Sequence, residues 1–263
     1  MTSELSLDVV AHREWLVALT VLPPMGVAID LGCGRADDLR SLAARHSGTD
    51  VRLIGVDLSD AAEVSVTTAA AADSRISFRR ASLNDRLPFD DASVDLAYSH
   101  NVMECLRDPT SFAREIARVL RPGGQLVIAH WDWDSQIFDG VDKAAVRRLV
   151  AAFADWKQAW MEHADGWMGR RLWGIFNATG SFEGAVQARA LINTIYHAPW
   201  FGHQNATAFA GLVTRGLAAA EDNDRFLHDQ EVLHARGQYF YSITGYAYVG
   251  YRRPSDEALV NRA

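Results

Sequence analysis

Three stretches of this 263-residue chain carry side chains whose types and spacing could do chemistry. The first is Asp30-Leu31-Gly32-Cys33-Gly34, which closes an apolar run from Val27 and is answered by Asp57 at the end of Leu53-Ile54-Gly55-Val56-Asp57. Glycines let a backbone turn sharply and let a ligand approach where a Cβ would collide, and an acid after the next strand can accept from two ribose hydroxyls. The pair therefore reads as a nucleotide-type cofactor loop. The second stretch is His100-Asn101, after the apolar run Val94 to Tyr98. The third is His130-Trp131-Asp132-Trp133-Asp134. A histidine near neutral pH can take a proton from a phenol or alcohol, with His130 the first candidate base and His100 the second. Trp131, Trp133 and Asp134 would hold a cationic amine by cation–π contact, or stack on a neutral ring. His130, Asp132 and Asp134 have no further clustered His or Cys beside them, so no metal is expected.

The loop discriminates between cofactors. A dinucleotide site wants a third glycine and an uncharged helix start for its pyrophosphate. The position counted from Gly32 is Asp37, followed by Asp38, and two carboxylates there repel a pyrophosphate. S-adenosylmethionine (SAM) carries no phosphate, and its sulfonium and ammonium are cations that an acid such as Asp30 favours.

Asp30-Leu31-Gly32-Cys33-Gly34-Arg35-Ala36 resembles motif I of class I SAM-dependent methyltransferases, with Ala36 in place of the third glycine. Three further matches follow in the family's order: Leu87-Pro88-Phe89-Asp90-Asp91-Ala92-Ser93-Val94-Asp95, Arg118-Val119-Leu120-Arg121-Pro122-Gly123-Gly124, and the strand-like Gln125 to Ala129. The resemblance implies SAM as cofactor and S-adenosylhomocysteine as product. It implies cofactor contacts from Asp30, Gly32, Cys33, Gly34, Asp57 and Leu58, and from Ser82 and Leu83 at the adenine, where Ser82 replaces the family's usual acid. Arg13, on a helix that in the family lies over the cofactor, would meet the SAM carboxylate. His100 would reach the methionine part, with Asn101, Trp131, Trp133 and Asp134 on the substrate side.

Elements able to position these residues follow from periodicity. Apolar residues at helical spacing predict a first helix over 7–22, ended by Pro23-Pro24. Strands at 27–31, 51–57, 76–80, 94–98 and 125–129 alternate with helices at about 37–46, 60–72 and 111–119, the pattern of a doubly wound parallel sheet. From 142 to 180 the chain reads as helical, with Ala144, Val146, Leu149, Val150, Phe153, Trp156 and Trp160 as a broad apolar stripe. A sixth strand is predicted at 186–196, helices at 205–220 and 222–236, and a seventh strand within 238–251. The expected fold is α/β: a Rossmann-like, mostly parallel seven-stranded sheet with a helical cap inserted between strands five and six. One domain over 1–263 is expected, with 1–24 over the cofactor site and cap segments at about 135–185 and 197–237.

Composition bounds the partners. Net charge −7 and a pI near 5.7 offer no basic field to nucleic acid or an anionic membrane, and no run reaches the roughly 18 apolar residues of a membrane span. The two cysteines, Cys33 and Cys105, make no disulfide framework, so a reduced cytoplasmic protein is expected. The reading that follows is transfer of a sulfonium methyl to an O or N nucleophile of a small aromatic or amine-bearing molecule by in-line displacement. The alternative is a SAM-fold protein that uses the cofactor structurally for a non-methylating reaction or a binding role.

Overall fold

The computed structural model describes residues 6–159 and 161–254. In chain order the main elements are α1 (Leu7–Ala18), β1 (Met25–Leu31), α2 (Asp37–Arg45), β2 (Asp50–Asp57), α3 (Asp60–Ala72), β3 (Ile76–Arg80) and β4 (Val94–His100). After a one-turn 3-10 helix, Met103–Cys105, come α4 (Pro109–Val119), β5 (Leu120–Phe138), α5 (Lys143–Ala154), α6 (Met168–Ala178) and β6 (Phe182–Asn193). The series ends with α7 (Phe201–Ala208), α8 (Ala210–Thr214), α9 (Ala220–Ala235) and β7 (Tyr241–Arg252). The strands form one seven-stranded sheet in the order β3-β2-β1-β4-β5-β7-β6. From β3 to β5 all neighbouring pairs are parallel, as the strand–helix alternation requires.

Local sequence accounts for the framework. Strand β1 is buried from Val27 to Leu31, as an apolar run covered on both faces must be. Helix α4 starts where Asp108 accepts from Thr110 N and Ser111 N, both at 3.0 Å, with Pro109 in the first turn. Its apolar face, Phe112, Ile116 and Val119, is buried.

The chain sorts into two compact units. One comprises, among the described residues, 6–12, Trp131–Arg170 and Ala188–Tyr246; its core is aromatic, with Trp131, Phe138, Phe209, Phe226 and Tyr241 buried together. The other comprises Arg13–His130, Arg171–Gln187 and residues 247–254; its core is aliphatic, built on Leu39, Leu42, Leu53, Val66, Leu96 and Val127. The segments expected as a cap fall in the first unit over 135–170 and 197–237.

Several predicted boundaries move. Helix α1 ends at Ala18 rather than running to Leu22, because Thr20 Oγ turns back onto Val17 O at 2.6 Å. The stretch 142–180 is two helices, and Trp156 lies beyond α5; Trp160 lies outside the described residues. Strand β6 begins at Phe182, four residues before the predicted start, and ends at Asn193. Gly184 masks that start in a propensity reading, yet it is needed: a Cβ there would stand 2.5 Å from Val249 O. The region read as one helix over 205–220 is α7 and α8, and α7 starts at Phe201, within the expected loop. Strand β5 is far longer than 125–129, and its length carries the third chemical stretch.

Candidate functional site

The glycine loop leaves β1 with three left-handed residues, Gly32 (φ 79°), Gly34 (φ 46°) and Ala36 (φ 60°). Gly32 N donates to Val56 O at 2.8 Å, tying the loop to β2. The two glycines differ in purpose. A Cβ on Gly32 would lie 2.4 Å from Val102 Cγ2, so Gly32 permits internal packing. A Cβ on Gly34 would meet only Gly32 O, at 4.0 Å, so that position faces open space. Ala36 takes the conformation a third glycine would, and its side chain is fully buried.

Asp57 closes the loop: Oδ2 accepts from Gly34 N at 3.0 Å and Oδ1 from Ser59 N at 2.9 Å. Each carboxylate oxygen keeps a lone pair beyond these single backbone bonds. Leu58, next to it, is 63% exposed, whereas Cys33 is buried and its thiol is pushed up by burial, with Asp30 and Asp57 adding to the rise. The loop cysteine is therefore a neutral packing group.

Behind the loop sits a buried charged cluster, most of which sequence reasoning missed. Asp30 is 2% exposed, and its Oδ2 has no hydrogen-bond partner among the described residues. Burial pushes its carboxyl well above the usual range, with Asp38 adding to the rise and Arg13 opposing it. Asp38, in the first turn of α2, meets Arg13 Nη1 at 2.6 Å and His100 Nδ1 at 3.4 Å. Burial alone would raise Asp38, but His100 and Arg13 outweigh it and hold the carboxyl below its ordinary value. The phenol of Tyr98, also buried, is raised by burial first and by Asp38 and Asp30 next. Arg13, expected beside a ligand carboxylate, thus has a protein carboxylate within contact. Asp38 entered the sequence reading only as a repulsive charge, because its burial comes from the packing of α1, α2 and β4 around it.

At the end of β4, Asn101 adopts φ 61° and its N–H donates to Ala129 O at 2.9 Å. Its Oδ1 is buried without a partner among the described residues. Ser99 Oγ donates to Leu31 O at 2.7 Å, pinning β4 to β1 where both strands end. His130, on β5, is 1% exposed, and its Nε2 stands 3.9 Å from Oε1 of the equally buried Glu104. Glu104 carries no motif in the sequence; the register of β4 and β5, pairing His100 with Ala129, sets it against His130. On the β3 side, Ser82 Oγ accepts from Asn84 N at 3.2 Å, and Leu83 lines a polar cavity of about 470 Å³ with Asn84, Arg107 and Asp108.

The remaining expected residues lie in the aromatic unit. Trp131 is in its core, stacked on His12 at 3.9 Å between ring centroids. Trp133 is half-buried, edge-on to Phe153 at 5.7 Å. Asp134 Oδ2 accepts from Trp167 Nε1 at 2.9 Å. Asp132 is fully buried and held in a fork by Arg170, Nε to Oδ2 at 2.6 Å and Nη2 to Oδ1 at 2.5 Å.

Residues 29–128 match the family model described as a methyltransferase domain. Over this segment the chain is therefore similar to methyltransferase domains. The chain is 30% identical over 131 residues to tocopherol O-methyltransferase from Arabidopsis thaliana, covering 44% of this chain and 36% of that one. It is 28% identical over 184 residues to 2-methyl-6-phytyl-1,4-hydroquinone methyltransferase from Synechocystis, covering 67% and 52%. The chain thus spans about a third to a half of the length of these curated relatives. Among solved structures, the YcgJ protein from Bacillus subtilis superposes with a TM-score of 0.59 at 15% identity, covering 93% of this chain and all of that one. The [4+2]-cyclase SpnF superposes with a TM-score of 0.55 at 18% identity, covering 94% and 80%. These two likenesses establish the fold. No helix among the described residues is long and apolar enough to cross a membrane.

Proposed function

We propose that the chain is a SAM-dependent methyltransferase acting on an O or N nucleophile of a small molecule. The observation that carries the reading is the loop itself: a backbone open at Gly34, an acid at Asp57, and a buried carboxylate, Asp30, with an oxygen left without a partner. That donor set is acidic, so it fits a cationic, phosphate-free cofactor and disfavours a pyrophosphate. When bound, SAM supplies an electrophilic methyl on a sulfonium.

The protein's own part is to bind, orient and take a proton. Asp57 holds the ribose hydroxyls, Asp30 receives the ammonium, and the backbone of Gly32, Cys33 and Gly34, beside Leu58, forms the cradle. Ser82 and Leu83 border the adenine. Arg13 attracts the carboxylate, and Asp38 fixes both Arg13 and His100. His130 is the base for a hydroxyl acceptor, and Glu104 is a positioning residue that favours its protonated form. Asn101, Trp131, Trp133 and Asp134 stand on the acceptor side; the packing of Trp131 and the Trp167 bond of Asp134 support a scaffold share in that role.

The test is thermal stability with SAM, S-adenosylhomocysteine, NADH or buffer, since a ligand that binds only the folded state raises Tm. Both SAM-type ligands are expected to raise it and NADH to leave it unchanged; a rise with NADH alone would overturn the reading. Release of S-adenosylhomocysteine with phenol, alcohol or amine acceptors then tests methyl transfer. Binding without release under any acceptor would favour structural use of the cofactor, a reading to which the fold-level likeness to a [4+2]-cyclase lends weight.

A further inference from the structure

The aromatic unit contains a cavity of about 640 Å³ between the far end of β5 and one face of α5. Its volume lies in the range of small-molecule sites. Phe138, Val146 and Val150, all buried, supply an apolar floor, and Lys143 and Arg147 stand one helical turn apart on the same face of α5. These two cations differ from the next arginine on the helix. Arg148 is held by Asp222 at 2.7 Å, whereas Lys143 and Arg147 have no ion pair with the described residues.

Two acids also line the cavity: Asp134 is partly offset by Arg170, and Asp139 is held by a backbone N–H and keeps its charge. Asp134 accepts from Trp167 and faces Arg170 at 3.6 Å, while Asp139 Oδ1 accepts from Gly140 N at 2.8 Å. The lining therefore offers apolar surface at its floor and two uncommitted positive charges at its rim. Gln136, the buried polar group of the floor, donates to Trp133 O and accepts from Tyr241, so it makes no demand on a ligand.

We propose that this cavity binds an amphipathic anion: an apolar body seated on Phe138, Val146 and Val150, with a carboxylate or phosphate held by Lys143 and Arg147. The site is built within one unit; it shares Asp134 with the proposed acceptor side, but Lys143, Arg147 and the apolar floor have no part in the methyl-transfer reading. Binding of this anion with SAM absent tests it separately.

The experiment is titration of the full chain, without SAM, by dodecanoate, dodecyl phosphate and dodecanol below their aggregation thresholds, followed by calorimetry. One saturable site is expected for the two anions, with dodecanol weaker by roughly tenfold, the worth of a charge-assisted contact. The stronger of the two anions identifies an acyl or a phosphorylated ligand. Lys143→Ala/Arg147→Ala, at two exposed positions, should erase the preference for anions. Ala151→Trp, also at an exposed position lining the cavity, should block all three ligands. Circular dichroism confirms that each variant folds. Absence of saturable binding, or binding that neither variant changes, overturns the site. Binding blocked by Ala151→Trp but indifferent to the charge variant overturns the anion.

Discussion

At the scale of single residues, the most consequential group is Asp30, whose charge is costly to the fold and useful to a cation. A carboxyl raised by burial holds its proton more tightly in the folded than in the unfolded chain. Its contribution to stability is therefore highest below the ordinary aspartate range and falls as pH rises through the raised value. Asp30→Asn removes that loss. We expect the variant's Tm to exceed that of the wild type increasingly as pH rises above the ordinary aspartate range, while SAM affinity drops. Equal Tm throughout would show that Asp30 pays no burial cost. Glu104→Gln gives a second prediction, in the rate for a hydroxyl acceptor. Without the carboxylate that stands 3.9 Å from Nε2 the imidazole of His130 is held less well, so kcat should fall about tenfold with KM little changed. An unchanged kcat would reduce Glu104 to packing. Asp30 was legible because motif and burial coincide in the sequence; Glu104 was not, because its meaning is its distance from His130.

At the scale of elements, the loop between β1 and α2 separates two uses of glycine. Gly32→Ala adds a left-handed alanine and a methyl 2.4 Å from Val102, and should cost about 2–5 kcal/mol, read by denaturant unfolding. Gly34→Ala adds only the backbone term of about 1–2 kcal/mol, so the protein should fold and yet lose SAM binding. If both variants unfold alike, the open face at Gly34 is not a binding face. The extension of β5 supplies the other element-scale test. Asp132 is fully buried and depends on Arg170, so Arg170→Ala leaves an uncompensated carboxylate. The cost should be about 3 kcal/mol, toward the low end for a broken buried pair because the Arg170 side chain is 41% exposed. Alternation along 130–134 was readable, but not the length of β5. Its residues beyond Ala129 continue past the paired part of β4 and run beside β7, with Ser135 accepting from Thr244 N and Gln136 from Tyr241, so cross-strand context rather than local propensity keeps them extended.

At the scale of the whole molecule, a net charge of −7 predicts a negative result: duplex DNA or RNA at physiological salt should give no binding tighter than about 10⁻⁴ M by fluorescence anisotropy. Tighter binding would point to a basic surface that the overall charge conceals. The strand–helix alternation and the glycine turn with its answering acid determined the parallel sheet and its order of elements, because each is a local pattern with a local physical cause. What only the tertiary structure decided are the meetings across distance: Asp38 with Arg13 and His100, Glu104 with His130, Trp131 with His12, and Lys143 and Arg147 over an apolar cavity. Such charges and rings acquire their roles from burial and separation. Those are set by how helices and strands far apart in the chain pack, and no spacing along the sequence records them.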